Sequence, residues 1–203
     1  MIAIIDYDAG NMKSVEKALH FLEQEVIVTD DPQIIGRADH VILPGVGAFG
    51  MAMQELRARN LEPVIGSVVR AGTPFLGVCL GLQLLFEESE ENPGVKGLGL
   101  LKGRIRKIPQ GEYEKIPHMG WNSLKIRKKS RLFAGIDDDP FVYFVHSYYL
   151  KADDPSVVAA TTEYNVTIDA AVETDNVFAC QFHPEKSSST GLQILRNFVN
   201  IPR

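Results

Sequence analysis

A cysteine flanked by two glycines lies between a short apolar run and a helical pattern. The run Phe75–Val78 predicts a buried strand, and leucines at positions 80, 84 and 85 predict a helix directly after it. The spacing Gly77-x-Cys79-x-Gly81 is that of the nucleophile elbow, a sharp strand-to-helix turn. Such a turn places the Cys79 side chain at a helix N-terminus, where partial positive charge favours a thiolate. A buried structural cysteine is the alternative, and the motif alone leaves both interpretations open.

Strand and helix patterns alternate through the first half of the chain. Strand runs occur at residues 2–6, 25–29, 40–43 and 75–78, and helical patterns near 12–22, 50–59 and 62–70. This alternation predicts an α/β fold with a doubly wound, mostly parallel sheet flanked by helices, and ligands at the carboxyl ends of its strands. After Gly94, shorter runs predict an added, smaller and partly antiparallel β region, at residues 104–108, 123–126 and 141–145. Two more strands, at 157–161 and 177–182, and a helix near 190–200 complete one predicted domain, residues 1–203.

Composition argues against several classes of function. The formal net charge of −5 gives no general attraction to nucleic acid or to an anionic membrane. No apolar run approaches the ~20 residues that span a bilayer, and no basic signal-peptide segment is present. The two cysteines, Cys79 and Cys180, form neither a dense disulfide framework nor a Cys-x-x-Cys metal motif. We therefore expect a cytoplasmic protein that binds no nucleic acid, no membrane and no metal ion.

A glycine-rich turn follows the third predicted strand. Gly45-x-Gly47-x-x-Gly50 matches the dinucleotide-binding fingerprint, but the first strand–helix unit carries no such motif. The acidic residue expected about 20 positions later should end a second strand, yet Glu62 falls at a helix start. We interpret the turn instead as a place where backbone N–H groups approach a reacting carbonyl, which is an oxyanion hole.

A cysteine nucleophile needs a base, and the base needs a group that orients it. Of the five histidines, His183 follows a predicted strand and precedes Pro184, which forces an extended conformation. Because residues two apart in an extended chain point to the same side, Glu185 should share a face with His183. An exposed ion pair at a strand end is the alternative for this segment alone. Together with the elbow and the glycine turn, a Cys79-His183-Glu185 triad is the better interpretation.

These motifs resemble those of the class I, or triad, glutamine amidotransferases. Segments 44–50, 117–122 (Pro-His-Met-Gly-Trp-Asn) and 183–187 narrow the resemblance to the glutaminase subunits of imidazole glycerol phosphate synthase, in histidine biosynthesis. The resemblance covers essentially the whole chain, and one departure is Asp8, where that family more often has glycine. It implies that Cys79 attacks the side-chain amide of glutamine through a γ-glutamyl thioester, with no cofactor.

The resemblance also implies the remaining site residues. Backbone N–H groups of Val46 or Gly47 and of Leu80 would hold the oxyanion. Six residues would hold the glutamine substrate: Gly47, Gln83, Glu91, His146, Ser147 and Tyr148. For Glu91 an ordinary place in an acidic run is the alternative, and for residues 146–148 an ordinary strand end.

A partner follows from the same resemblance. The family pairs this subunit with a cyclase, a (β/α)8 barrel of about 250 residues that a chain of this length cannot also contain. The two would form a heterodimer in which ammonia passes to the cyclase. The implied interface residues are Asn11, Lys186 and Trp121, the last in a predicted Gly-Trp-Asn turn, with core packing the alternative for Trp121. A flipped Gly45–Val46 peptide would make activity depend on the partner.

Three other functions remain open from the sequence. One is the glutaminase of another amidotransferase, such as the one that feeds pyridoxal phosphate synthesis, and a second is a stand-alone cysteine hydrolase of γ-glutamyl peptides. The third is a non-catalytic binding module in which Cys79 is structural or redox-sensing.

Overall fold

The structure is a computed structural model that describes residues 1–111 and 115–203. Its strands and helices, numbered in chain order, are β1 (Ile2–Ile5), α1 (Met12–Phe21), β2 (Val26–Thr29), α2 (Pro32–Arg37), β3 (His40–Leu43), α3 (Phe49–Ala58), α4 (Leu61–Arg70), β4 (Phe75–Val78), α5 (Leu80–Leu84), β5 (Glu88–Ser89), β6 (Gly103–Lys107), β7 (His118–Ser123), β8 (Lys125–Ile126), β9 (Phe141–His146), β10 (Tyr148–Ala152), β11 (Val158–Tyr164), β12 (Val166–Thr174), β13 (Val177–Cys180) and α6 (Ser188–Val199). Two 3₁₀ turns, Pro155–Val157 and Pro184–Lys186, precede β11 and α6. No helix in the described ranges is long and apolar enough to cross a membrane.

Eight strands form one mixed sheet in the order β2-β1-β3-β4-β13-β12-β11-β8. The first five of these strands run parallel to one another. Leu43 pairs with Gly77, and Val78 pairs with Cys180, so the neighbouring strands β3, β4 and β13 end at the same level. The segments that follow these strands are the glycine turn, the elbow and the His183 segment. The topology therefore brings all three to one edge of the sheet, where α/β folds bind ligands.

Side chains of the parallel strands alternate between two cores. In β1, Ala3 packs in a cluster with Leu56 of α3, whereas Ile2 packs in a second cluster with Leu19 of α1 and Phe198 of α6. Successive side chains of a strand point to opposite faces, so a strand that is buried on both sides needs helices on both faces. This packing is the doubly wound arrangement that the alternating patterns predict.

The antiparallel strands extend this sheet and form two smaller ones. β12, β11 and β8 continue the main sheet beyond β13 in antiparallel pairing. β10, β6 and β5 form a three-stranded sheet, and β7 pairs with β9 in a two-stranded sheet. The predicted fold class is confirmed. The strand predicted at residues 123–126 is instead divided between β7 in the two-stranded sheet and β8 in the main sheet.

The predicted Gly-Trp-Asn turn is wrong. Residues 120–122 lie inside β7, where Gly120 pairs with Phe144 and has a positive φ of 128°. A glycine within a strand gives the same local signal as a glycine in a turn. Trp121 therefore lies on a strand opposite Tyr143.

Some elements have no counterpart among the predictions. Helix α2 has only six residues, which is too short for a helical period, although Asp31 caps it by accepting from the Gln33 N–H with Pro32 at its first position. In β12 a carboxylate interrupts the apolar run. Asp169 is nevertheless buried, because it accepts a hydrogen bond from the Ala152 N–H at 2.9 Å.

Candidate active site

Cys79 lies in a strained turn between β4 and α5. Its backbone has φ 55° and ψ −110°, a conformation that residues other than glycine rarely adopt. Such strain costs about 1–3 kcal/mol and is concentrated at functional sites. A Cβ on Gly77 would lie 2.7 Å from the Gly81 carbonyl oxygen, and one on Gly81 would lie 1.9 Å from that of Leu43. Both glycines are therefore required by the close approach of strand and helix, as the elbow motif predicts.

The Cys79 thiol is mostly buried but faces a cleft. Its backbone N–H donates to the Cys180 carbonyl at 2.8 Å, which fixes the turn to β13. The Sγ atom lies 4.0 Å from the Val145 carbonyl oxygen, and Gln181 Nε2 donates to it over 3.8 Å. An amide N–H directed at sulfur stabilises negative charge there. Gln181 was not among the predicted site residues, because nothing in its local sequence distinguishes it.

His183 and Glu185 form a buried hydrogen bond of 2.8 Å between Nδ1 and Oε1. His183 is extended, as predicted, but Glu185 lies in the 3₁₀ turn Pro184–Lys186 and not in extended chain. The reasoning that paired them by strand alternation is therefore wrong, and the tight turn makes the contact instead. The pair is buried, so the hydrogen bond is shielded from water.

The environment of His183 favours its protonated form. Burial alone would lower the pKa of His183, but the neighbouring Cys79 sulfur and the Glu185 carboxylate outweigh it and raise the pKa to about 9. The other ring nitrogen, Nε2, makes no hydrogen bond of normal geometry among the described residues, but it interacts with the Cys79 sulfur closely enough to raise the pKa. A buried nitrogen beside a thiol can exchange a proton with it, which is the requirement for an acid–base group.

The glycine turn is held by two contacts. The Tyr7 hydroxyl, which is fully buried, donates to the Pro44 carbonyl at 2.7 Å. The Leu80 N–H donates to the Gly45 carbonyl at 3.4 Å. A trans peptide directs its C=O and N–H to opposite sides, so the Val46 N–H points away from Leu80. In this structure the Leu80 donor is thus occupied and the Val46 donor is turned away.

A cleft of about 350 Å³ opens beside Cys79 and His183. Its lining includes the residues implied for the oxyanion and the substrate: Val46, Gly47, Leu80, Gln83, Glu91, His146, Ser147 and Tyr148. Gln83 Nε2 donates to the Tyr148 carbonyl and to Gln181 Oε1, at 3.0 Å each. Glu91 accepts from the Phe49 N–H at 2.8 Å, so it also caps α3. The volume suits a ligand of amino-acid size.

The three implied interface residues are exposed and lie on neighbouring elements. Asn11 precedes α1, and Lys186 ends the 3₁₀ turn that packs against α1 and β9. Trp121 is 53% exposed and lies edge-on to Tyr143 of β9, with ring centroids 6.0 Å apart. The exposure of Trp121 argues against core packing.

The fold, the elbow at Cys79 and the paired His183 and Glu185 are the features expected of a triad amidotransferase. Residues 3–201 match the model of the family described as glutamine amidotransferase class-I. The chain therefore belongs to that family. A solved glutamine amidotransferase structure superposes on 98% of this chain and 97% of its own, with a TM-score of 0.76 at 18% identity. That likeness shows the fold alone.

Two curated relatives narrow the family. The chain is 52% identical over 203 residues, the whole of both chains, to imidazole glycerol phosphate synthase subunit HisH of Methanothermobacter thermautotrophicus. It is 51% identical over 204 residues, 98% of each chain, to the subunit HisH of Syntrophotalea carbinolica. The chain thus belongs among the HisH subunits of imidazole glycerol phosphate synthase, and the resemblance drawn from its motifs is confirmed.

Proposed function

We propose that this chain hydrolyses glutamine and passes the ammonia to a (β/α)8 barrel cyclase, which makes imidazole glycerol phosphate and aminoimidazole carboxamide ribonucleotide. The observation that supports this most directly is the meeting of Cys79 with the His183-Glu185 pair at two adjacent strand ends, those of β4 and β13, beside a cleft of suitable size. Two features support a partner subunit: the exposed Trp121 and the relatives, which are named as synthase subunits. The reaction would take place in the cytoplasm.

Cys79 is the proposed nucleophile and His183 its acid–base partner. The thiol proton moves to His183 Nε2, and the sulfur attacks the side-chain amide carbon of glutamine. His183 then gives this proton to the departing nitrogen, and ammonia leaves as the γ-glutamyl thioester forms. A water molecule that loses its proton to His183 cleaves the thioester and releases glutamate, and the proton returns to Cys79. The raised pKa of His183 suits this cycle, because the imidazolium is stable while the sulfur is negative.

Glu185 is the proposed orienting group. Its Oε1 accepts the hydrogen bond from His183 Nδ1–H, which leaves Nε2 as the nitrogen that faces the cleft. The carboxylate also stabilises the imidazolium that forms in each half of the reaction. Charge and tautomer are thus set by one contact.

The cleft offers complementary chemistry for glutamine. Among the described residues that line the cleft, Glu91 is the acidic one. Its carboxylate can pair with the α-ammonium group of an amino acid. Gln83 stands about one helical turn beyond Cys79 and lies against the wall formed by Tyr148. We propose both as substrate-binding residues, together with Gly47 and residues 146–148.

The partner would switch on the oxyanion hole. With Gly45 C=O bonded to Leu80 N–H, negative charge on the substrate oxygen would meet a carbonyl rather than a donor. Rotation of the Gly45–Val46 peptide would release Leu80 N–H and present Val46 N–H. We propose that binding of the cyclase and its nucleotide ligand favours this rotated peptide.

A co-purification with the cyclase followed by a glutaminase assay tests the proposal. We expect weak hydrolysis by the isolated chain and strong stimulation by the cyclase with its nucleotide. Equal activity with and without partner would overturn the subunit function, and preference for a γ-glutamyl dipeptide over glutamine would favour a stand-alone hydrolase. Cys79→Ala should abolish glutamine-dependent synthesis by the complex and leave ammonia-dependent synthesis intact. Loss of both would give Cys79 a structural role.

A further inference from the structure

Two buried histidines connect strand β7 with the wall of the glutamine cleft. His118 of β7 pairs in register with His146 at the end of β9, and His118 Nδ1 lies 3.0 Å from His146 Nε2. The His118 ring is stacked between Phe144 and Tyr164, with ring centroids 4.6 and 3.9 Å away. Both histidines are nearly inaccessible to solvent. Each ring is therefore fixed in position by aromatic packing, hydrogen bonds or both.

The direction of these hydrogen bonds follows from one carbonyl group. The Tyr148 carbonyl oxygen can only accept, so His146 Nδ1, at 2.8 Å, carries a proton. Burial lowers the pKa of His146 to about 3 and that of His118 to about 4, so both rings are neutral near pH 7. His146 Nε2 must then accept from His118 Nδ1–H.

The outer end of this chain of hydrogen bonds agrees with that assignment. His118 Nε2 is left as an acceptor, and Asn122 Nδ2 lies 3.3 Å from it. The same Nδ2 donates to the Glu163 carbonyl at 3.0 Å, and the Asn122 oxygen accepts from the Ser123 N–H at 2.8 Å. Two independent contacts thus fix the Asn122 amide with its nitrogen towards His118. Every hydrogen bond in the series runs inwards, from Asn122 to Tyr148.

The inner end reaches the nucleophile. Besides the bond from His146, the Tyr148 carbonyl accepts a hydrogen bond from Gln83 Nε2. The same Gln83 nitrogen also donates to Gln181 Oε1. Gln181 in turn donates to Cys79 Sγ over 3.8 Å. The position of the cleft wall therefore depends on a carbonyl that His146 holds.

We propose that His118 is a positioning residue for glutamine binding. Its Nδ1–H fixes His146 in the tautomer that donates to the Tyr148 carbonyl, and that carbonyl fixes Gln83 in the cleft. This inference rests on the proposed role of the cleft as the glutamine site. His118 contacts no substrate and acts only through His146.

Two substitutions at His118 separate positioning from packing. His118→Phe keeps a flat ring between Phe144 and Tyr164 but removes the donor to His146. His118→Asn loses the ring but can place an amide N–H near the position of Nδ1. Ser130→Ala is the matched control, since it removes a buried hydroxyl that donates to Glu173, away from the residues that line the cleft.

The measurement is kcat and KM for glutamine in the complex with cyclase and its nucleotide. In His118→Phe we expect KM to rise about tenfold with kcat changed less than about threefold, because weakening the cleft wall equally in the ground and transition states affects KM alone. His118→Asn should recover most of the affinity, and Ser130→Ala should leave KM unchanged. A smaller folded fraction lowers the apparent kcat and leaves KM unchanged. A lower kcat with an unchanged KM in His118→Phe would therefore overturn the proposal. An equal rise of KM in Ser130→Ala would overturn it as well.

A second measurement needs no substitution. Nitrogen NMR of the wild-type complex should find His146 protonated at Nδ1 and not at Nε2, and the opposite tautomer would overturn the proposal even if His118→Phe does not fold. Absence of glutamine hydrolysis by the wild-type complex would overturn the proposed function and this inference with it. Normal wild-type hydrolysis with an unchanged KM in His118→Phe would overturn this inference alone.

Discussion

Replacing Val46 by proline removes the backbone N–H that we propose as an oxyanion donor, and it removes no catalytic side chain. In the structure the Gly45 carbonyl accepts from the Leu80 N–H, so the Val46 N–H points the other way. It can become a donor to the oxyanion only if this one peptide rotates. The proline variant therefore reports on the rotated peptide, which the partner would stabilise.

The magnitude follows from the contacts. One oxyanion donor is worth about 10²–10³ in kcat, or about 2.7–4 kcal/mol. The bond that rotation breaks, Leu80 N–H to Gly45 C=O, is long at 3.4 Å and should contribute at most about 1 kcal/mol of the preference for the unrotated peptide, so a stimulation of about 10²-fold also needs other contacts that hold the turn. Rotation frees Leu80 N–H and adds Val46 N–H, so stimulation of kcat by cyclase and nucleotide should be at least about 10²-fold. Val46→Pro should remove about 10²–10³ of the stimulated rate.

The assay compares wild type, Val46→Ala and Val46→Pro, each alone and with cyclase plus nucleotide. Val46→Ala keeps the N–H and trims a side chain that is 42% exposed, so its stimulation should stay within about threefold of wild type. A proline restricts the backbone conformation of the residue before it, partly through a clash with that residue's Cβ. Gly45 has no Cβ, so this restriction is weaker in Val46→Pro. Melting temperature and affinity for the cyclase check that both variants fold and bind. Equal stimulation of the two variants would refute the role of the Val46 N–H.

Three further substitutions probe charge, interface and packing. Glu185→Gln removes a charge that helps raise the pKa of His183 to about 9. The alkaline limb of the pH profile of kcat/KM, which reports loss of the His183 proton, should therefore move to lower pH by about one unit. An alkaline limb that does not move would contradict this role of the Glu185 charge. Trp121→Ala should weaken binding to the cyclase by about 2 kcal/mol. The melting temperature should change little, because the Trp121 side chain is exposed. An unchanged Kd in a titration with the cyclase would place the interface elsewhere. Gly81→Ala should lower the free energy of unfolding by about 3 kcal/mol or more in a denaturant titration, because the added Cβ would overlap the Leu43 carbonyl. A free energy of unfolding close to that of wild type would show that β3 can move away from the added methyl group.

The parts of the site that could be predicted are those carried by a few consecutive residues. The elbow at Cys79 needs only its two glycines, and the extended His183 needs only the proline that follows it. Each of these segments follows a buried strand, and carboxyl ends of parallel strands meet at one edge of the sheet. Local signals with one topological rule were therefore enough to predict that Cys79 and His183 lie at the same edge of the sheet.

The parts that could not be predicted depend on register between distant segments. Gln181 reaches Cys79, and Tyr7 holds Pro44, only because β13 and β1 lie where the sheet places them. The pairing of His118 with His146 requires strand β7, and the sequence predicted a turn there because of the glycine at position 120. No periodicity reports which residues of two separate strands face each other.

The orientation of the Gly45–Val46 peptide is a different kind of limit. This one peptide bond has two possible orientations, and no side-chain pattern encodes the choice between them. Glycine at position 45 lacks the side chain that would favour one of them. The structure therefore supplies what the sequence left open, and in our proposal this orientation decides whether the oxyanion hole is formed.

The position of this turn explains how a partner could act on it without a large movement. Val46 and His183 line the cleft beside Cys79, and both also line a small crevice on the side of Asn11 and Val15. The turn thus has one side towards the cleft and another towards the surface that carries Asn11. A stimulation of about 10²–10³ requires the partner to favour the rotated peptide by about 2.7–4 kcal/mol, since a ligand shifts an equilibrium only by its differential affinity. One well-packed contact at an interface supplies about 2 kcal/mol or more. One or two contacts at the Asn11 side of the turn are therefore sufficient, and we infer that the switch is the rotation of one peptide rather than a rearrangement of the domain.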